Sequence, residues 1–229
     1  MSPKPFYFLG PSHIAVLVLL LLSVIAMCWA ARAGYSKSMR WVERILAWVL
    51  LLEWPGNLLI AYWTGEFDRN MALPLQLCDA AALCGGVALL THQAEFCELV
   101  YFWGLAGTLQ GLATPSLAWD FPNPRFFGFF ALHCGVVATA LYVVLGLRIT
   151  PRRGAVTRAM FWLLVYACVA GTIDYLWTCN YGFLREKPFR GSLLDLLGPW
   201  PWYIGSLLLL AAVLFFLLDL PWRMRRRRH

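Results

Sequence analysis

The chain has 229 residues, 61% apolar and 16% aromatic, with only 14% charged and a formal net charge of +7. A soluble globular domain is nearer half apolar and a quarter charged, so these proportions point to lipid as the main solvent. Seven spans of about 20 residues would use roughly 140 positions, which leaves no room for a separate nucleotide-binding or nucleic-acid-reading domain.

Seven apolar runs follow one another along the chain, at about 11–31, 42–64, 72–91, 95–114, 126–147, 157–179 and 201–221. Each is too long for a strand, and lipid obliges a backbone to close its hydrogen bonds within the segment, so each is expected to be a helix. The chain therefore reads as a single all-α domain over 1–229, a polytopic membrane protein with seven transmembrane helices. Trp200, Trp202 and Tyr203 open the last run and Trp222 closes it, about 30 Å of helix between two aromatic belts. Seven cysteines, all in or at the ends of apolar runs, do not make the disulfide framework of a secreted domain.

Orientation follows from the cations. With the N-terminus outside, Arg32, Lys37, Arg40, Arg44, Arg148, Arg152, Arg153, Arg158 and the tail arginines 223 and 225–228 lie inside. Lys4, Arg69, Arg125, Arg185, Lys187 and Arg190 lie outside. The positive-inside rule favours this arrangement, N-terminus out and C-terminus in. Cleaving the first run as a signal near Ala33 would put Arg32–Arg44 on the wrong side, so the run is retained. The basic tail is topogenic, with attraction to anionic lipid as a second role; its charge does not call for nucleic acid.

Polar residues inside spans are costly and face the bundle interior. At about 1.5 Å per residue, Gln76, Cys78, Asp79, Asn57, Gln110, His133 and Asp174 fall at similar depths in the outer half, with Glu53 nearer mid-membrane and Asn180 at the outer end of the sixth run. The inner halves read as almost wholly apolar. Cys78 and His133 supply the nucleophile and base of thiol acyl chemistry, because a thiol near its ordinary pKa is mostly protonated and needs a base within reach. Asp79 or Asp174 could orient His133, and Gln76, Gln110, Asn57 or Asn180 could donate to an oxyanion. Other readings stay open: cysteine also fills space, a membrane histidine also bonds helix to helix, and the same pocket suits a non-enzymatic binding protein or small-solute or lipid transporter. His13, Cys78, Asp79 and His133 lack the local spacing of a zinc site, no Lys lies within a span to form a Schiff base, and no histidine pair is matched for haem. No metal or cofactor is expected.

Two stretches carry a family resemblance. Leu73-Pro74-Leu75-Gln76-Leu77-Cys78 resembles the Leu-Pro-x-x-Leu-Cys signature of the YwaF-like bacterial integral membrane proteins, to which the eukaryotic transmembrane protein 164 acyltransferase group is similar. The stretch from Asn180 to Leu184, then Lys187-Pro188, Ser192 to Asp195 and Gly198 to Tyr203, resembles that family's outer loop and seventh-helix entry. Tyr101 to Gly104 with Pro115, and Phe130 to His133, fit its fourth and fifth helices. The resemblance implies a cysteine-dependent acyltransferase acting on phospholipid or lysophospholipid in a bacterial cytoplasmic membrane, with Cys78 carrying the acyl group and His133 as base. It departs from the family at Gln76, where histidine is expected.

Overall fold

The computed structural model describes residues 4–187 and 193–226. Arg190, Arg227 and Arg228 of the basic set, and Pro188 and Ser192 of the motif, lie outside the described residues. Those described are helical, with an isolated β-bridge between Pro5 and Trp119 and no strand. The helices are α1 (Pro11–Ala33), α2 (Lys37–Thr64), α3 (Leu77–Thr91), α4 (Ala94–Trp103), α5 (Leu109–Ala113), α6 (Pro124–Leu145), α7 (Ala155–Trp177) and α8 (Trp202–Arg226).

Local chemistry sets most of these boundaries. Pro11 and Pro124 stand in the first turns of α1 and α6, where no backbone N–H is needed. Ser36 caps α2 by accepting from the Met39 N–H at 3.2 Å. Gly65, in the left-handed region at φ 70°, ends it. The third apolar run becomes helical only at Leu77, five residues later than expected. Pro74 disfavours helical geometry at Leu73, and Gln76 stays extended as the N-cap. The fourth run is divided: between α4 and α5 lies a π-helical turn, Gly104–Thr108.

Five helices, α1, α2, α6, α7 and α8, are long and apolar enough to cross a membrane, whereas α3 has 15 residues. Burial sorts the helices into layers. No residue is exposed from Leu77 to Leu89 or from Phe96 to Thr108, and 67% of the most apolar stretch of α6 is buried against 6% of that of α1. Thus α3, α4 and α6 form the interior, and α1, α2, α7 and α8 stand around them. Small side chains make this possible. A Cβ on Gly86 would lie 2.5 Å from Leu51 Cγ and 3.1 Å from the Ala47 carbonyl oxygen, so α2 and α3 approach to backbone contact. Phe102, Val136, Val143 and Phe215 fill the core between the layers.

The expectation that polarity gathers at one depth needs correcting. Glu43, Glu98 and Asp219 are all buried near the other ends of their helices. Glu98 accepts from the Arg152 backbone N–H (2.9 Å), Arg152 Nε (2.8 Å) and Nη2 (3.1 Å), and Arg158 Nε (3.0 Å) and Nη2 (2.9 Å). Asp219 pairs with Arg223 and Arg226. Several cations that read as orientation signals therefore clamp the α6–α7 connection and the end of α8. The Asp219–Arg223 pair has ordinary i,i+4 helix spacing, whereas Glu98 lies 54 and 60 residues from Arg152 and Arg158, so helix-local spacing does not reveal that cluster.

Candidate functional site

Cys78 is the second residue of α3, in a first turn whose backbone N–H groups have no carbonyl four residues back to bond. Next to it, the Asp79 carboxylate accepts from the Gln76 N–H at 3.3 Å and closes that turn. The Thr108 hydroxyl, at the end of the π turn, lies beside the Cys78 thiol. Thr108 is fully buried and its hydroxyl has no partner that satisfies hydrogen-bond geometry.

His133 approaches the same helical stretch from α6. Its ring packs against Gly111, where a Cβ would overlap Cδ2 and Nε2, and stacks on Phe129 with centroids 4.1 Å apart. Nδ1 lies 2.7 Å from the Phe129 carbonyl oxygen. A carbonyl only accepts, so Nδ1 carries the proton and Nε2 keeps its lone pair. Thr108 and Gly111 are three residues apart, about 4.5 Å of helix rise and nearly one turn. Cys78 thus lies by Thr108, and His133 by Gly111, nearly one turn further along the same stretch.

The remaining residues singled out in the sequence divide into three groups. Asn57 donates to the Glu53 carboxylate and fits against Gly128 of α6, where a Cβ would strike its amide oxygen. Gln76, Asp174 and Asn180 build the cover above the start of α3. Gln76 Oε1 accepts from the Gly182 N–H at 3.1 Å, and one Asp174 oxygen accepts from the Tyr181 N–H at 2.7 Å. Asn180 gathers Arg185 and Glu186 N–H groups onto its amide oxygen. Tyr181 completes the cover, its hydroxyl donating to the Arg69 carbonyl (2.8 Å) and accepting from the Leu73 N–H (3.1 Å). Gly182 sits at φ 60°, and a side chain there would also meet the Tyr166 hydroxyl at 2.6 Å. Gln110, by contrast, is exposed and does not join the cluster. It lies just past the π turn, and the next residue, Gly111, is the one that faces His133.

One expectation changes: the group bonded to His133 Nδ1 is the Phe129 carbonyl, while Asp79 bonds the Gln76 N–H and Asp174 the Tyr181 N–H. His13 accepts from the Leu9 N–H and faces the Leu112 carbonyl at 3.0 Å. Sequence reasoning also passed over Thr108, Tyr166, Gly111 and Gly128. The two glycines carried a usable signal, because glycine among bulky helical residues marks a close approach. Thr108 carried none.

Five helices long and apolar enough to cross a membrane, with the shorter α3 and α4 packed among them, define a helical integral membrane protein. Within that class the assignment is direct: the chain belongs to the TMEM164 family, which matches residues 8–219. A protein of Treponema pallidum (strain Nichols), described only as an uncharacterized protein, is 27% identical over 161 residues, 69% of this chain. The match spans 65% of that relative's length. No solved structure matches the chain.

Proposed function

We propose that the protein is a membrane phospholipid acyltransferase or transacylase, with Cys78 as the nucleophile and His133 as its base. The observation that carries this reading is the placement of both residues against Thr108 and Gly111, with Nδ1 of His133 held by the Phe129 carbonyl and Nε2 left to accept a proton. In the proposed reaction Nε2 takes the thiol proton as sulfur attacks the ester carbonyl of a phospholipid. The C–O bond breaks, the proton passes to the departing lysolipid oxygen, and the acyl group remains on Cys78 as a thioester. The hydroxyl of a lysophospholipid, or water, then attacks with its proton going to Nε2, and the thiol is restored. The unpaired N–H groups of the first turn of α3 and the Thr108 hydroxyl are the donors available to the oxyanion.

The topology proposed with this reading has seven spans, α3 and the α4–α5 stretch completing the five long helices, with the N-terminus outside a bacterial cytoplasmic membrane. The distribution of Lys and Arg along the sequence supports that orientation. The test is incorporation of labelled acyl chain into lysophospholipid by the purified protein. Cys78→Ala and His133→Ala should each abolish transfer. Full activity in either variant would overturn the mechanism, and absence of transfer together with uniform alkylation of all seven cysteines would favour a lipid-binding protein.

A further inference from the structure

A second site lies at the end of the molecule where α1 and α6 finish, a cavity of about 390 Å³ remote from the N-terminal turn of α3 that holds Cys78. Arg32, Arg148, His92 and Tyr35 line it, with Leu147 and Ile149 as apolar wall. Arg32 uses only Nε, donating to the Leu145 carbonyl at 2.8 Å, which leaves its two terminal nitrogens. Among the described residues neither Arg32 nor Arg148 has a carboxylate within ion-pair distance. The acid behind the cavity, Glu43, already accepts from Tyr142 at 2.6 Å, from Tyr35 and from His92 Nε2 at 3.2 Å. His92 Nε2 therefore carries a hydrogen, and Nδ1 is the ring nitrogen left over. Arg40, over the Tyr35 ring at 5.9 Å, adds a further positive charge nearby.

The backbone supports the same conclusion. His92, the left-handed C-cap of α3, and Arg148 stand at φ 54° and 59°, so two of the five non-glycine residues with positive φ among the described residues line this one cavity. Such conformations persist where the surroundings impose them and gather at ligand clamps. Two arginines that line one concavity, neither ion-paired to a carboxylate among the described residues, offer the planar donor pattern that phosphate oxygens accept.

We propose that this cavity binds a phosphate group, held between Arg32 and Arg148. Its place at helix ends beside Leu147 and Ile149 makes an anionic phospholipid headgroup the membrane source, while inorganic phosphate shares the chemistry. The proposal is independent of the reaction assigned to Cys78. The experiment titrates the full-length protein, purified in zwitterionic detergent, with dioctanoyl phosphatidic acid in one arm and inorganic phosphate in the other. Chloride at matched ionic strength is the blank, and thermal midpoint and dissociation constant are read. Arg148→Asn is the main variant, because asparagine tolerates the left-handed backbone better than arginine and removes the charge without threatening the fold. It should bind about tenfold more weakly, the order expected for losing a charge-assisted hydrogen bond, and Arg32→Gln should behave likewise. Arg153→Asn, which removes a charge outside the cavity, should bind as the wild type does. Binding of phosphatidic acid alone identifies the headgroup as the source, and binding in both arms shows that phosphate suffices. No binding in either arm, or equal losses in Arg148→Asn and Arg153→Asn, would overturn the proposal.

Discussion

Gly111→Ala separates the proposed role of His133 from its packing. The added methyl would overlap Cδ2 and Nε2 of the imidazole and lie 3.4 Å from Cγ. Restoring an ordinary contact of about 3.5–4 Å requires the ring to move by on the order of 1 Å. The ring has little freedom to do so, stacked on Phe129 and tied through Nδ1. Overpacking costs about 1–3 kcal/mol, and alanine returns roughly 1 kcal/mol of helix propensity, so the fold should lose about 1 kcal/mol and melt only a few degrees lower. Misplacing a catalytic base by about 1 Å costs on the order of a hundredfold in rate. The assay is therefore a pair of measurements on one preparation, labelled-acyl transfer and thermal midpoint. Gly205→Ala, where a Cβ meets nothing within 4 Å, serves as control. Wild-type transfer in Gly111→Ala would refute the assignment of His133 as base, whatever happens to stability.

Two further predictions concern the opposite end of the bundle. Glu98→Ala leaves Arg152 and Arg158 without their buried partner and should cost about 3 kcal/mol, the low end for breaking a buried pair because both guanidiniums remain partly solvated; an unchanged thermal midpoint would refute the clamp. The hydrogen bond from His92 to Glu43 raises the His92 pKa above its ordinary value, against an opposing desolvation. A raised folded-state pKa means that this contribution to stability is complete below about pH 6.5 and is lost as pH rises through the higher value. The wild-type midpoint should therefore fall more steeply above about pH 6.5 than that of His92→Gln, and superimposable pH profiles would refute the linkage.

Helix positions were legible because lipid leaves the backbone few options. Which helices would be interior was legible only in part. Apolar runs facing lipid and apolar runs facing protein look alike by hydropathy, but α1 is rich in Leu and Val, whereas α3 carries Ala80, Ala81, Ala82, Gly85 and Gly86. Small residues of that kind mark backbone contact. His133 could be singled out as the one histidine deep in a span, and Cys78, among seven cysteines, because it fell at a similar depth within the Leu73–Cys78 motif. The partner of Nδ1 could not, since a main-chain carbonyl four residues back leaves no trace in composition. Nor could the exposure of Gln110, since its depth along the run says nothing of the side it faces. The basic residues misled in the same way: Arg152 and Arg158 read as topology signals, and their hydrogen bonds to Glu98 appear only once α4 and α7 are packed together.

The irregular backbone is concentrated, and its location bears on function. In hydrocarbon a chain cannot leave N–H and C=O groups unmatched, so departures from regular helix are confined to places buried in protein or lining a cavity. The late start of α3, the π turn at Gly104–Thr108 and the cover around Tyr181 all depart from regular α-helix. They share a neighbourhood: Thr108 lies beside Cys78, and the Gly182 N–H bonds Gln76, two residues before it. A bundle built only for packing would have no need to place these three departures around one thiol. This concentration favours a reactive role for Cys78 over space filling, and the paired Cys78→Ala and Gly111→Ala measurements put that preference at risk.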